Sequence, residues 1–162
     1  MSENTLHKLS TKIGEKLKTG GLWITCAESC TGGGIAKAIT DIAGSSAYFD
    51  RGFVTYSNSA KHQLLGVAES TLQAQGAVSE EVVREMAQGA LHAANADVAV
   101  SVSGIAGPDG GSNEKPVGTV WFGFAERTGR VLACKAYFAG DRDAVRQQAT
   151  IFALQTVLDE FL

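Results

Sequence analysis

The spacing of apolar residues along the chain predicts an alternation of helices and strands. From Thr5 to Lys18, apolar residues recur at intervals of three and four, which predicts an amphipathic helix that stops at Gly20 and Gly21. The short run from Leu22 to Cys26 is rich in apolar, β-branched and aromatic residues and predicts a buried strand. A glycine-rich stretch then separates this strand from the next helix.

The same reasoning assigns the other elements. Further strands are predicted over Tyr48 to Ser57, Asp97 to Ser103, Gly118 to Ala125 and Val131 to Phe138. Further helices are predicted over Ile35 to Ile39, over Ser59 to Leu65 with a stop at Gly66, from the cap Ser79 to Ala94, and after the cap Asp141. Helices interleaved with strands, followed by a hairpin-like strand pair, predict a three-layer α/β/α sandwich with a mixed β-sheet.

Length and composition fit one domain and exclude several function classes. The 162 residues suit a single domain spanning 1–162. The 14 Lys and Arg are dispersed and the formal net charge is −3, which disfavours nucleic-acid binding. No apolar run approaches the roughly 18 to 20 residues that cross a bilayer, and the amino terminus does not resemble a signal peptide. We therefore expect a cytoplasmic protein without a membrane partner.

The cysteines do not indicate a metal site. The chain has three, Cys26, Cys30 and Cys134, with no C-x-x-C pair and no histidine at metal-ligand spacing. Reduced thiols are the expected state. We expect neither a metal nor another cofactor.

The stretch T-C-A-E-S-C-T-G-G-G, Thr25 to Gly34, carries the first candidate chemistry. It places two possible nucleophiles, Ser29 and Cys30, on a small-residue turn between a predicted strand and a predicted helix. Backbone N–H groups on such a turn suit an anion or the oxyanion of acyl transfer. The pattern matches neither the nucleophile elbow nor a phosphate-binding glycine loop. Spacing alone leaves catalysis, anion binding and a purely structural turn open.

A serine nucleophile needs a base, and lysine is the better candidate. The three histidines lie in or beside predicted helices, so a Ser-His-Asp triad has little support. The segment Y-S-N-S-A-K, from Tyr56 to Lys61, closes a predicted strand and starts a helix. A buried Lys61 would have a lowered pKa and could act as a neutral base. Ser57, four residues before Lys61, is a rival nucleophile, and a surface lysine is the ordinary alternative.

Two later segments are candidates for substrate binding. The loop from Gly104 to Ser112 follows a predicted buried strand, where loops of α/β folds line ligand crevices, although a surface loop is equally compatible. Arg142 and Arg146 lie four residues apart at a predicted helix start, where a phosphate could meet guanidinium and N–H groups. Solvated arginines paired with Asp143 are the alternative.

Four motifs together resemble the CinA carboxy-terminal domain family. They are, in order, A-E-S-C-T-G-G, D-I-A-G-S-S-A-Y-F-D-R-G-F-V-T-Y-S-N-S-A-K, S-G-I-A-G-P-D-G-G and K-P-V-G-T-V-W-F. The single-domain length resembles the stand-alone nicotinamide-nucleotide amidases of that family. This resemblance implies an α/β/α fold, a homodimer, no metal, and hydrolysis of nicotinamide mononucleotide to nicotinate mononucleotide and ammonia in NAD salvage.

The resemblance also implies roles for individual residues. Ser29 would be the nucleophile, Lys61 its general base and Tyr56 an orienting or proton-relaying residue. The oxyanion would be held by N–H groups of the turn residues Cys30, Thr31, Gly32 and Gly33. The substrate-binding candidates are Tyr48 and Phe49, which could stack on the pyridinium ring, and Gly104, Ile105, Ala106, Gly107, Asp109, Arg142 and Arg146. Two alternatives stay open, a thiol amidase that uses Cys30 and a non-catalytic nucleotide-binding module.

Overall fold

The computed structural model describes residues 2–162, with side chains from residue 4 onwards. Within that range the chain forms six α-helices and five strands. The helices are α1 (Ser2–Gly20), α2 (Gly34–Thr40), α3 (Asn58–Leu65), α4 (Glu69–Gln75), α5 (Glu80–Ala94) and α6 (Arg142–Phe161). The strands are β1 (Ile24–Glu28), β2 (Phe53–Val54), β3 (Val98–Gly104), β4 (Thr119–Glu126) and β5 (Val131–Tyr137). None of the helices within residues 2–162 is long and apolar enough to cross a membrane.

The five strands form one mixed sheet in the order β2-β1-β3-β4-β5. Strands β2, β1 and β3 are parallel, whereas β4 is antiparallel to both β3 and β5. The chain leaves β1 towards β2 and leaves β3 towards β4, in opposite directions across the sheet. The carboxyl ends of β1 and β3 therefore form the kind of topological switch point at which α/β proteins bind ligands.

Helices cover both faces of the sheet, which confirms the predicted three layers. Alternate residues of β3 point to opposite faces, so that Val98, Val100 and Val102 join a core with α1, α2 and α6. Ala99 joins a second core with α5 on the other face. On that same face, the buried Ser101 hydroxyl donates to the Val83 carbonyl of α5 at 2.6 Å.

The predicted capping residues mark the observed starts of two helices. The Ser79 hydroxyl accepts a hydrogen bond from Val82 N at the start of α5, as its predicted capping role requires. The Asp141 carboxylate does the same for Ala144 N at the start of α6. These caps depend on neighbouring residues alone and can be inferred from sequence.

The elements around the glycine turn differ from the prediction. β1 begins at Ile24 and continues to Glu28, because Ala27 and Glu28 pair with both neighbouring strands. The predicted strand from Tyr48 to Ser57 is largely wrong, since only Phe53–Val54 pairs as a strand, at the sheet edge. Helix α4 was not predicted because its polar sequence buries only Leu72.

Candidate active site

Ser29 lies directly after β1, at the carboxyl end of the parallel strands. Its N–H donates to the Val102 carbonyl of β3 at 3.0 Å. On the other side, Thr55 N donates to the Glu28 carbonyl at 2.8 Å, which extends the pairing with the β2 segment. Both neighbouring strands therefore fix the backbone around Ser29, whose surface is 8% exposed.

Lys61 reaches Ser29 from helix α3. Its Nζ lies 2.9 Å from the Ser29 hydroxyl oxygen. The same nitrogen donates to the Thr55 carbonyl at 2.8 Å and to the Tyr56 carbonyl at 3.1 Å. Lys61 is only 1% exposed. The structure thus brings together the serine and the lysine that the sequence predicted as nucleophile and base, although they are separated by 32 positions.

Burial sets the protonation of Lys61. It lowers the pKa of the amine to about 8, which more than offsets the small opposite effect of the neighbouring Cys30. A neutral amine has two hydrogens and one lone pair. When the hydrogens donate to the Thr55 and Tyr56 carbonyls, the lone pair faces the Ser29 hydroxyl. This is the geometry that a general base requires.

Ser57 and the histidines do not take part in this pair. The Ser57 hydroxyl caps α3 by accepting a hydrogen bond from Ala60 N at 3.0 Å. His7 and His92 are exposed. His62 places Nδ1 at 2.8 Å from the Val67 carbonyl. Local geometry therefore favours Ser29 over Ser57 as the partner of the lysine.

Cys30 is buried in the core beneath α1, α2 and α6 with 5% exposure. Burial raises the pKa of its thiol to about 11. A position just before a helix would by itself lower the pKa of a thiol, but desolvation outweighs this effect and the electrostatic influence of Arg146 and Lys61. Since the thiolate is the nucleophilic form, the site disfavours thiol chemistry at Cys30.

Glu28 is the main residue of the site that sequence reasoning missed. Its fully buried carboxylate accepts hydrogen bonds from the Thr31 hydroxyl at 2.6 Å, from Ile35 N at 2.8 Å and from Ala36 N at 3.0 Å. A carboxylate is favourable at the positive end of a helix dipole. A glutamate at the end of an apolar strand and just before the turn was the available signal.

This carboxylate changes which N–H groups can bind an anion. Ile35 N and Ala36 N, at the start of α2, are occupied by Glu28. Gly32 N donates to the Ser29 carbonyl at 3.1 Å. Within the described chain, Cys30 N, Thr31 N and Gly33 N have no acceptor. Of the four turn residues predicted to hold the oxyanion, Gly32 therefore has its N–H already engaged.

The left-handed backbone of the turn explains two of its glycines. Gly32 has φ of 58° and Gly33 has φ of 105°. Other residues rarely adopt these values, because a Cβ would meet the backbone. In addition, a Cβ on Gly32 would lie 2.9 Å from Nη2 of Arg146.

The two arginines differ in what they contact. Arg146 donates from Nε to the Cys30 carbonyl at 3.0 Å and from Nη2 to the Thr31 carbonyl at 3.3 Å. Arg142 donates to the Gly107 carbonyl at 2.8 Å and to the Tyr56 hydroxyl at 3.1 Å. Arg146 therefore belongs to the serine turn. Arg142 joins the loop after β3 to Tyr56.

The predicted binding loop contributes mainly backbone in this arrangement. Gly104 ends β3, and Ile105 N donates to the Thr119 carbonyl at 2.9 Å. Ala106 is buried in the core, and Gly107 accepts from Arg142. Asp109 is exposed. Only the Gly107 carbonyl of this loop is linked directly to another predicted site residue.

Tyr48 and Phe49 are not at the site, contrary to the stacking hypothesis. The Tyr48 carbonyl accepts from Ile24 N, and Phe49 forms a bridge with Ile24. Ile24 begins β1 whereas Ser29 follows its end, so the two positions are about 16 Å apart at the usual strand rise. Tyr48 is also 3% exposed in the core. That Tyr48 is aromatic gave no information about which end of β1 it lies beside.

Two cavities border these elements. One of about 740 Å³ lies against the turn and α6 and includes Thr31, Gly34 and Arg146 in its lining. Another of about 420 Å³ includes Ala106, Gly107 and Arg142. No cluster of three or more His, Cys, Asp or Glu that could hold a metal ion occurs among the described residues.

Fold and site together define an α/β protein with a buried serine–lysine pair at the switch point of its sheet. The profile of the CinA C-terminal domain matches residues 6–161, and the chain belongs to that family.

Named relatives agree over the whole length of the chain. It is 75% identical over 162 residues to a nicotinamide-nucleotide amidohydrolase PncC from Enterobacter agglomerans, covering 100% of this chain and 99% of the relative. It is 64% identical to the protein of the same name from Escherichia coli strain K12, covering 100% of this chain and 98% of that protein.

A solved structure supports the architecture. The crystal structure of the competence/damage inducible protein CihA from Agrobacterium tumefaciens superposes with a TM-score of 0.93 at 46% identity. The similarity covers 95% of this chain and 94% of that one.

Proposed function

We propose that this protein is a nicotinamide-nucleotide amidohydrolase that converts nicotinamide mononucleotide to nicotinate mononucleotide and ammonia in NAD salvage, as one domain spanning 1–162. The names of the full-length relatives support the reaction class. The observation that carries the mechanism is the 2.9 Å hydrogen bond between Lys61 Nζ and the Ser29 hydroxyl. The predicted homodimer and cytoplasmic location stay predictions.

In the proposed acylation half-reaction, neutral Lys61 removes the Ser29 proton and the serine oxygen attacks the carboxamide carbon. The carbonyl oxygen becomes an oxyanion, which the N–H groups of Cys30, Thr31 and Gly33 are suited to bind. Protonated Lys61 then returns its proton to the amide nitrogen. Ammonia leaves as the carbon–nitrogen bond breaks, and an ester to Ser29 remains.

Deacylation uses the same groups. Lys61, neutral again, takes a proton from a water molecule that attacks the ester carbon. The tetrahedral intermediate collapses, the serine oxygen regains the proton from Lys61, and nicotinate mononucleotide departs. One buried amine with a pKa of about 8 can serve both halves, since it exchanges a proton readily near neutral pH.

Arg142 is the better of the two arginines for the substrate phosphate. Both arginines donate two hydrogen bonds, but Arg146 is half-buried and both of its contacts are to carbonyls of the serine turn. Arg142 is exposed and is tied to Tyr56, whose carbonyl is a partner of Lys61. Replacement of Arg142 by Ala should raise KM for nicotinamide mononucleotide more than it lowers kcat, and an unchanged KM would reject this assignment.

The decisive experiment is an ammonia-release assay that compares nicotinamide mononucleotide, its riboside and free nicotinamide. We expect the mononucleotide to give the highest kcat/KM. Ser29→Ala and Lys61→Ala should each lower kcat by at least about 10³-fold with thermal unfolding still cooperative. Ser59→Ala is the matched control, because Ser59 is an exposed residue of α3.

Three results would contradict the proposal. Full turnover in Ser29→Ala would reject the serine mechanism. Binding of the mononucleotide without any ammonia release by the unsubstituted protein would instead indicate a nucleotide-binding module. A Cys30→Ala protein that unfolds cooperatively but releases no ammonia, together with rapid loss of wild-type activity on thiol alkylation, would favour the thiol alternative.

A further inference from the structure

The Ser29 turn is held from two sides by buried or half-buried charged groups. The Glu28 carboxylate binds the Thr31 hydroxyl and the first N–H groups of α2. The Arg146 guanidinium, on α6, binds the carbonyls of Cys30 and Thr31. Glu28 thus accepts hydrogen bonds from donors of this segment, and Arg146 donates hydrogen bonds to its carbonyls. Together they determine how the peptide planes between them are oriented.

The planarity of the peptide bond converts the arginine contact into a direction for Thr31 N. In a trans peptide, the carbonyl of one residue and the N–H of the next point in opposite directions. Arg146 Nε holds the Cys30 carbonyl at 3.0 Å, so Thr31 N–H must point away from α6. That N–H has no acceptor within the described residues. Rotating the peptide would bring it round towards the guanidinium.

The second contact fixes the following peptide in the same manner. Arg146 Nη2 and Gly34 N both donate to the Thr31 carbonyl, at 3.3 and 3.1 Å. This peptide's N–H, on Gly32, donates back to the Ser29 carbonyl. The guanidinium therefore stabilises the backbone conformation that follows Ser29, and Gly32 leaves the space that its Nη2 occupies.

We propose that Arg146 is a positioning residue that holds the Cys30–Thr31 peptide with Thr31 N–H directed at the reaction centre, as a donor to the developing oxyanion. This inference rests on the proposed amidohydrolase function. It assigns Arg146 a role different from phosphate binding, because Nε and Nη2 form the guanidinium edge that would contact a phosphate bidentately. Arg146 does not touch substrate and acts through the backbone.

Arg146→Ala tests the proposal by separating kcat from KM. Loss of one oxyanion donor lowers kcat by about 10²- to 10³-fold in other hydrolases. We expect a fall in kcat of about 10²-fold for nicotinamide mononucleotide, with KM changed by less than about threefold. Arg146→Lys keeps the charge but loses the planar two-point contact, so its kcat should lie between those of wild type and Arg146→Ala. Gln147→Ala is the matched control, since Gln147 is exposed on α6 and lines the same cavity.

Chemical rescue gives a readout that a general loss of packing would not. Arg146 lines the cavity of about 740 Å³, through which a small cation can reach the vacated position. Millimolar guanidinium chloride, far below denaturing concentrations, should restore part of kcat in Arg146→Ala and none in Arg142→Ala. A fluorophosphonate should label Ser29 more slowly in Arg146→Ala than in wild type, and guanidinium should restore part of this rate together with kcat. Intact mass measures the labelling.

The outcomes separate this inference from the proposed function. A raised KM with an unchanged kcat, an unchanged pair of constants, or a folded Arg146→Ala that guanidinium does not rescue would each overturn the positioning role. Wild-type protein that is labelled at Ser29 but releases no ammonia would reject the proposed function, while labelling of the variants would still decide the role of Arg146. Wild-type protein that is neither labelled nor active would overturn both.

Discussion

Burial determines the chemistry that Lys61 can perform. Lysine is seldom fully buried, yet Lys61 is 1% exposed with three oxygen atoms as partners. Burial disfavours the charged amine and lowers its pKa to about 8. The residue therefore changes protonation just above neutral pH, in the range where a general base is most effective.

The pH dependence of the reaction follows from this pKa. Only neutral Lys61 can accept the serine proton, so kcat/KM should rise about tenfold per pH unit below pH 8 and level off above it. About a tenth of the protein would be in the active form at pH 7. Initial rates of ammonia release from about pH 6 to pH 9 in constant ionic strength test this. A flat or falling profile over that range would contradict a lysine base.

Lys61→Met tests the same amine through stability. The folded-state pKa of about 8 lies below the value near 10.4 of an unfolded lysine, so the unfolded state binds more protons between those values. The stability contributed by Lys61 therefore rises with pH through this window and is smallest below pH 8. Met has similar length and no charge. The thermal midpoint of Lys61→Met relative to wild type should be highest near pH 7 and decline towards pH 10.

The control for that comparison is Lys37→Met, because Lys37 is exposed and its pairing with Asp41 is a surface contact. Its midpoint relative to wild type should not follow the same trend. A constant difference between Lys61→Met and wild type across the range would mean that Lys61 is protonated alike in the folded and unfolded states.

At the scale of elements, α3 presents Lys61 to Ser29, and its boundaries are local. The helix begins after Ser57, which accepts from Ala60 N, and ends at Gly66 with φ of 72°. The sequence therefore predicted this helix within a residue of its observed start. The same holds for α5 and α6, which have their own side-chain caps.

Ser57→Ala should separate helix stability from chemistry. Loss of the cap should lower the free energy of unfolding by about 1 kcal/mol. The kcat should stay within a few-fold of wild type, since Lys61 remains held by its three oxygen partners. Urea unfolding and ammonia release measured on the same preparations test both parts. A loss of kcat as large as that in Ser29→Ala would revive Ser57 as a nucleophile.

The site was predictable only where nearby residues determine its geometry. The motif resemblance assigned roles to Ser29 and Lys61, and the strand-to-helix pattern put both near one end of the sheet. The role of Glu28 was missed because a strand that ends in a charged residue is normally read as ending earlier. The Arg146 contact to Thr31 spans 115 positions and depends on how α6 packs on α2. No local pattern carries that information.

At the scale of the whole molecule, the position of Lys61 depends on how the layers pack. Helix α3 lies on α5, and α5 packs against β1, β3 and β4. Ser29, in contrast, is fixed by hydrogen bonds within the sheet. The distance between the two side chains is therefore set by the spacing between the sheet and the helix layer.

Gly89 is the residue of α5 that permits this spacing. A Cβ on Gly89 would clash with the Leu65 carbonyl of α3, which is backbone and cannot rotate away. Gly89→Ala should therefore push α3 outwards. We expect a loss of stability of about 1–3 kcal/mol, together with a fall in kcat as Lys61 Nζ moves from Ser29.

Thermal unfolding and ammonia release, measured with Gln88→Ala as the control, test this dependence of the active site on packing. Gln88 is exposed on the same helix, so its substitution should change stability by less than about 0.5 kcal/mol and leave kcat unaltered. The added methyl of Gly89→Ala would meet the main chain of Leu65 and not its side chain. Shortening that side chain by Leu65→Ala in the same protein should therefore not restore the spacing between α3 and α5. A Gly89→Ala protein with wild-type midpoint and kcat would show that the layer spacing does not control the serine–lysine pair.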